Sequence, residues 1–152
     1  MSLSALMVAL SHLTGNVYFS FGSDSGLHYN QHKYVTVGYS SALTSLLDQQ
    51  IEIGAWAVSK EQERSAGYVA YQTGLKTKGS LYASALSGVA LITNTDARLS
   101  SVFQFKHTVG VGVRDYRNVE IGVDYSHISN AGLSLPNAGR DLVQLRMSVP
   151  FN

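Results

Sequence analysis

Residues 119–129 read VEIGVDYSHIS and residues 140–151 read RDLVQLRMSVPF. Both segments alternate. Side chains two apart in a strand share a face, so Val119, Ile121, Val123, Tyr125, His127 and Ser129 lie on one face of the first segment, against Glu120, Gly122, Asp124 and Ser126. In the second, Asp141, Val143, Leu145, Met147, Val149 and Phe151 share a face, against Arg140, Gln144, Arg146 and Ser148. The same period runs through 103–114, where Phe103, Phe105, His107, Val109, Val111 and Val113 oppose Gln104, Lys106 and Arg114. One set of faces is nearly pure hydrocarbon. The other collects charges of both signs, which can neutralise one another in a closed polar interior. That order suits a small membrane barrel, whereas a soluble lipocalin-like barrel turns its apolar face inward. Periodicity alone leaves both open.

Working outward, further strands are expected at 16–21, 33–43, 51–58, 68–76 and 81–93, separated by Gly22–Gly26, a polar connection at 44–49, the charged run KEQERS at 60–65 and turns at 78–79 and 94–98. About eight strands of roughly 10 residues result, the number and length of the smallest outer-membrane barrels. The expected fold is therefore all-β, an eight-stranded antiparallel up-and-down membrane β-barrel, in a single domain over residues 1–152. Residues 1–13, MSLSALMVALSHL, read as a short helix or a leader remnant, without the basic n-region of a secretory signal. Nine Tyr, five Phe and one Trp are expected to form interfacial girdles.

Composition narrows the function. Eleven Lys plus Arg against ten Asp plus Glu argue against a general nucleic-acid binder. Only 14% of residues are charged, and no apolar run approaches the ~20 residues of a transmembrane helix. With no cysteine, thiolate catalysis and Cys-type zinc sites are excluded.

The polar residues that interrupt the alternation concentrate in 125–141, YSHISNAGLSLPNAGRD. His127, Ser129 and Asp141 all sit on apolar faces. If the two segments pair as an antiparallel hairpin, 127 or 129 lies opposite 141, which brings an imidazole between a hydroxyl and a carboxylate. A serine hydroxyl becomes a nucleophile when an imidazole takes its proton, and a carboxylate fixes the imidazole's tautomer. Asn130 and N–H groups near Gly132 would supply oxyanion donors. For a lone His-x-Ser, polar residues meeting water at a strand end would be the better explanation.

Here the pattern is longer. His127, Ser129, Asn130, Ala131, Gly132, Pro136, Asn137 and Gly139, followed by an acid at 141, resemble the signature of the lipid A 3-O-deacylases, the PagL-type outer-membrane enzymes. The resemblance is sharp over 125–141 and rests elsewhere on length and strand pattern. It implies a bacterial outer-membrane enzyme with its triad on the lipid-facing wall. Ser129 would be the nucleophile, His127 the general base and Asp141 the orienting acid, with Asn130 and Gly132 lining the oxyanion hole. The substrate would be lipid A in lipopolysaccharide, cleaved at its 3-position ester, and the scheme needs no metal or cofactor. The departure is at 141, where the family carries glutamate. Aspartate is one methylene shorter, so either His127 is held less well or the strands approach more closely.

The alternatives are a non-catalytic outer-membrane barrel (adhesin, receptor or structural) with a degenerate motif, and a soluble barrel carrying a lipid. A homodimer and carriage by a virus particle that meets the bacterial surface are both left open. His28 and His32 read as residues of a surface loop without an acidic partner, and His107 as either an interfacial histidine or a headgroup contact. Gly22–Gly26 and Gly110-Val-Gly112 lack the strand-to-helix setting of a phosphate-binding loop.

Overall fold

The computed structural model describes residues 14–25, 32–57, 64–96 and 98–151. They form eight strands: β1 (Gly15–Asp24), β2 (Lys33–Ala42), β3 (Leu47–Ala57), β4 (Ala66–Lys76), β5 (Leu81–Ile92), β6 (Phe103–Arg114), β7 (Glu120–Ser129) and β8 (Arg140–Phe151). Each pairs antiparallel with the next, and β1 pairs with β8, from Gly15 opposite Phe151 to Asp24 opposite Leu142. The sheet is thus a closed up-and-down barrel without an edge, the one β-arrangement that satisfies its backbone in hydrocarbon.

Which face points where separates the two barrel types. Phe19, Val37, Ile53, Val111, Ile121, Val123, Leu145 and Met147 all point outward and are exposed. Gln50, Glu52, Gln72, Lys106, Thr108, Asp124, Gln144 and Arg146 point inward and are buried. The polarity is that of a membrane barrel, and the soluble lipid-carrier alternative falls with it. A Lys or Arg turned to lipid at mid-bilayer would cost about 2–4 kcal/mol; inside, each finds a partner. Lys106 bonds Glu52. Lys76 and Arg114 both bond Glu120, each at 2.7 Å, and Arg146 lies 3.5 Å from Asp124.

The aromatic expectation is only partly met. Tyr18, Tyr34, Trp56, Tyr68 and Tyr82 are inside the barrel, each 3% exposed or less, rather than in a girdle. They serve the buried cations: the Arg146 guanidinium sits 3.7 Å over the Tyr18 ring, and Arg140 lies over Trp56. Two boundaries also shift. β1 runs through Gly22 to Asp24, because β8 extends to pair with it, and β3 begins at Leu47, so the polar residues Asp48 and Gln49 are strand rather than connection.

The β2–β3, β4–β5 and β6–β7 turns (43–46, 77–80, 115–119) share one end of the barrel with Gly15 and Phe151. β1, β3, β5 and β7 all end at the other, where the longer connections begin. Residues 1–13, His28 and residues 60–63 of the charged run lie outside the described residues.

Candidate active site

β7 and β8 pair in a register that sets His127 directly opposite Asp141, at the long-loop end of the wall that faces outward. Of the two pairings the parity allowed, it is 127 that meets 141. Nδ1 of His127 lies 2.7 Å from Oδ1 of Asp141, and both side chains are about 40% exposed. The shorter acid therefore reaches the ring without a distorted register, because the pair is directly opposed. With Nδ1 engaged by the carboxylate, Nε2 is the nitrogen left to exchange a proton.

Asp141 has a second donor that the alternation hid. Tyr125 reads as one more apolar residue of β7, yet its hydroxyl donates to the same Oδ1 at 2.8 Å. The signal was there in principle: Tyr125 precedes His127 by two and shares its face, and an amphipathic ring can carry a polar tip to a neighbour.

Ser129 is half-buried on the same face as His127 and opposite Phe105 of β6. No hydrogen bond joins Ser129 to His127 among the described residues. Ser129 stands just beyond the last β7–β8 ladder pair, Ile128 with Arg140, where the chain leaves the sheet for the loop.

That loop is organised by Asn130, which points inward and is fully buried. Its N–H donates to Asn137 Oδ1 at 3.0 Å, its Nδ2 donates to Ser134 O at 2.9 Å and Ser100 Oγ at 3.2 Å, and its Oδ1 accepts the Gly132 N–H at 2.9 Å. Ala131, Gly132 and Gly139 all take positive φ, at 53°, 81° and 70°. Behind His127 stands Gly139: a Cβ there would meet His127 Cε1 at 2.8 Å, so a side chain at 139 would displace the ring.

The β5–β6 loop braces this arrangement from inside the rim. Arg98 Nε donates to Gly139 O at 3.0 Å, and the Gly139 N–H returns to Arg98 O at 3.3 Å. Asp96 accepts the N–H groups of Arg98 and Leu99 and pairs with buried Arg140 at 2.5 Å. Burial pushes the Asp96 carboxyl up, but those two N–H groups and then the Arg140 guanidinium outweigh it, so the group titrates below the usual carboxylate range. His32, expected on a loop surface without an acidic partner, is instead fully buried and bonds Asp24, beside Arg140. The acid eight residues earlier reaches it because β1 extends to Asp24.

His107 is exposed on the outer wall, opposite His127, and Ser87 Oγ lies 2.9 Å from its Nδ1.

A family profile described as "Lipid A 3-O-deacylase (PagL)" matches residues 13–150. A relative from Bordetella bronchiseptica named lipid A deacylase PagL is 34% identical over 113 residues. That alignment covers 69% of this chain and 64% of the relative, so the chain spans under two thirds of that protein's length. Among solved structures, the barrel resembles the outer membrane enzyme PagL, with a TM-score of 0.77 at 21% identity over 90% of this chain and 99% of that one. It also resembles a de novo designed transmembrane β-barrel, with a TM-score of 0.66 at 15% identity over 91% of this chain and 95% of that one. At such identities the structural likeness speaks for the fold.

Proposed function

The chain belongs to the lipid A 3-O-deacylase (PagL) family, and we propose that it is a bacterial outer-membrane esterase that removes the acyl chain at the 3-position of lipid A. The observation that carries this reading is the His127–Asp141 hydrogen bond on the outward, hydrocarbon wall of the barrel, with Ser129 on the same face. Acyl chains of a bilayer already lie against that wall. The enzyme then needs no cavity that extracts a lipid; it needs one ester held beside Ser129 at the depth of the membrane interface. In outer-membrane barrels the long loops face the cell exterior, which puts this end of the wall at the outer leaflet, where lipopolysaccharide presents its esters.

In the first step, the Ser129 oxygen attacks the ester carbonyl and its proton passes to His127 Nε2. Asp141, bonded to Nδ1, holds the tautomer and stabilises the imidazolium that forms. The tetrahedral oxyanion draws on the backbone N–H groups of Asn130 and Gly132, which exchange the Asn137 and Asn130 side-chain oxygens for the more strongly charged one, while the buried Asn130 amide keeps the loop in place. Collapse breaks the bond to the sugar oxygen, which leaves as a hydroxyl with the proton from His127. Water, deprotonated by His127, then attacks the acyl-enzyme, and the free fatty acid and the Ser129 hydroxyl are restored. The hydrogen bond between Ser129 and His127 forms with substrate in place, as catalytic contacts that are open in an unliganded site commonly do.

A serine-directed fluorophosphonate tests the chemistry apart from the substrate. It should label the detergent-folded barrel at Ser129, and His127→Ala should suppress labelling. Labelling elsewhere, or equal labelling of His127→Ala, would contradict the assignment.

A further inference from the structure

The steps above make no use of His107. It lies opposite Ser87 across β5 and β6, and opposite His127 across β6 and β7. With Asp141 opposite His127, the side chains Ser87, His107, His127 and Asp141 form one polar row across four adjacent strands. On β5 and β6 the row is one residue deep. Toward the short-turn end its neighbours on β5 and β6 are Ala85 and Val109; toward the loops they are Val89 and Phe105. A histidine solvated at the membrane surface would have polar neighbours on its loop side. This one has hydrocarbon on both sides, where an exposed polar pair carries a desolvation cost and marks a functional contact.

Ser87, His107 and His127 of the row also form the loop-side rim of a groove. Ala85, Leu86, Ser87, His107, Val109, Tyr125 and His127 line an outward-opening cleft of about 280 Å³ that starts at the catalytic imidazole. Ser129 stands two residues loopward of His127, roughly 7 Å along the strand. An acyl chain whose carbonyl lies at Ser129 and whose tail enters this groove therefore passes His107 within its first few carbons. Ser87 occupies Nδ1 of His107, which leaves Nε2 for a ligand.

We propose that His107, oriented by Ser87, determines acyl specificity by hydrogen-bonding a hydroxyl group carried by the acyl chain close to its ester carbonyl. A hydroxyl both donates and accepts, so it satisfies either tautomer of the ring. His107 touches substrate; Ser87 is a positioning residue that acts through it. The inference deepens the deacylase reading and rests on it.

The test compares two synthetic glucosamine lipids that differ only in the O3-linked chain, 3-hydroxyacyl against the unsubstituted acyl chain of equal length, in mixed micelles with the folded barrel. The wild type should prefer the hydroxyacyl ester by about three- to tenfold in kcat/KM, the range of one ordinary hydrogen bond. His107→Leu should bring the ratio toward unity. Ser87→Ala should lower it partway, and Ser87→Thr, which keeps the hydroxyl, should restore it. A wild-type ratio near one, or a ratio that His107→Leu leaves unchanged, overturns the specificity role while the deacylase reading stands. Hydrolysis of neither ester by the wild type overturns the deacylase reading and the specificity role with it.

Discussion

Asp141 lies directly across the β7–β8 ladder from His127, with 2.7 Å between Oδ1 and Nδ1. The direct opposition compensates for the short side chain, and this bears on what a longer acid would do. Asp141→Asn, which keeps the shape and loses the charge that stabilises the imidazolium, should lower kcat by about two to four orders of magnitude. Asp141→Glu should change it by less than about threefold, below the worth of one ordinary hydrogen bond. Steady-state release of fatty acid by the three proteins decides it, and a large gain for glutamate would mean that the 2.7 Å contact is not the working one.

Tyr125 donates to the same carboxylate oxygen as His127. On the proposed reading that bond fixes the carboxylate rotamer. Tyr125→Phe should slow turnover about three- to tenfold, the value of one hydrogen bond, and leave KM and the barrel's heat-modifiable migration unchanged. An unchanged kcat would remove Tyr125 from the site.

Gly139 combines a positive φ with a position against the imidazole. Gly139→Ala should add backbone strain of about 1–2 kcal/mol and push His127 off its partner. We expect a folded barrel with activity reduced at least about tenfold, read as kcat beside the mobility shift on heating. Full activity would show that the ring has room to move.

The loop brace predicts a pH dependence. Asp96 titrates below its ordinary range in the folded protein, so its pairing with Arg140 contributes stability that is complete above the unfolded value and is lost as pH falls through the lower folded one. Unfolding midpoints in urea should thus fall on acidification below about pH 4, the ordinary carboxylate range. Asp96→Asn should cost about 3 kcal/mol at neutral pH, the order seen when one partner of a buried pair is removed, and should flatten that acid limb. An identical acid limb in wild type and variant would exclude Asp96 as its source.

The alternation of β6, β7 and β8 was enough to place His127, Ser129 and Asp141 on one face, because parity is a property of the chain itself. It was also enough to collect the charges that pair inside the barrel. Register was legible only to within one pair, since loop length leaves 127 or 129 opposite 141; the ladder chooses 127. Residues whose polar atoms act across strands were harder to read. Tyr125 looked apolar, His32 looked solvated, and Tyr18, Tyr34, Trp56, Tyr68 and Tyr82 looked like girdle residues, because residue type does not say which side of a closed wall an amphipathic ring will take. The commitments of Asn130 depend on Ser100, Ser134 and Asn137, partners from two loops, and no local pattern announces them.

The most direct test of the central claim is mass spectrometry of lipid A after incubation with the detergent-folded barrel, run beside Ser129→Ala. Loss of one ester-linked acyl chain from the 3-position with the wild type, and none with Ser129→Ala, is the predicted result. Intact lipid A with a properly folded wild type, or equal loss with Ser129→Ala, would contradict it.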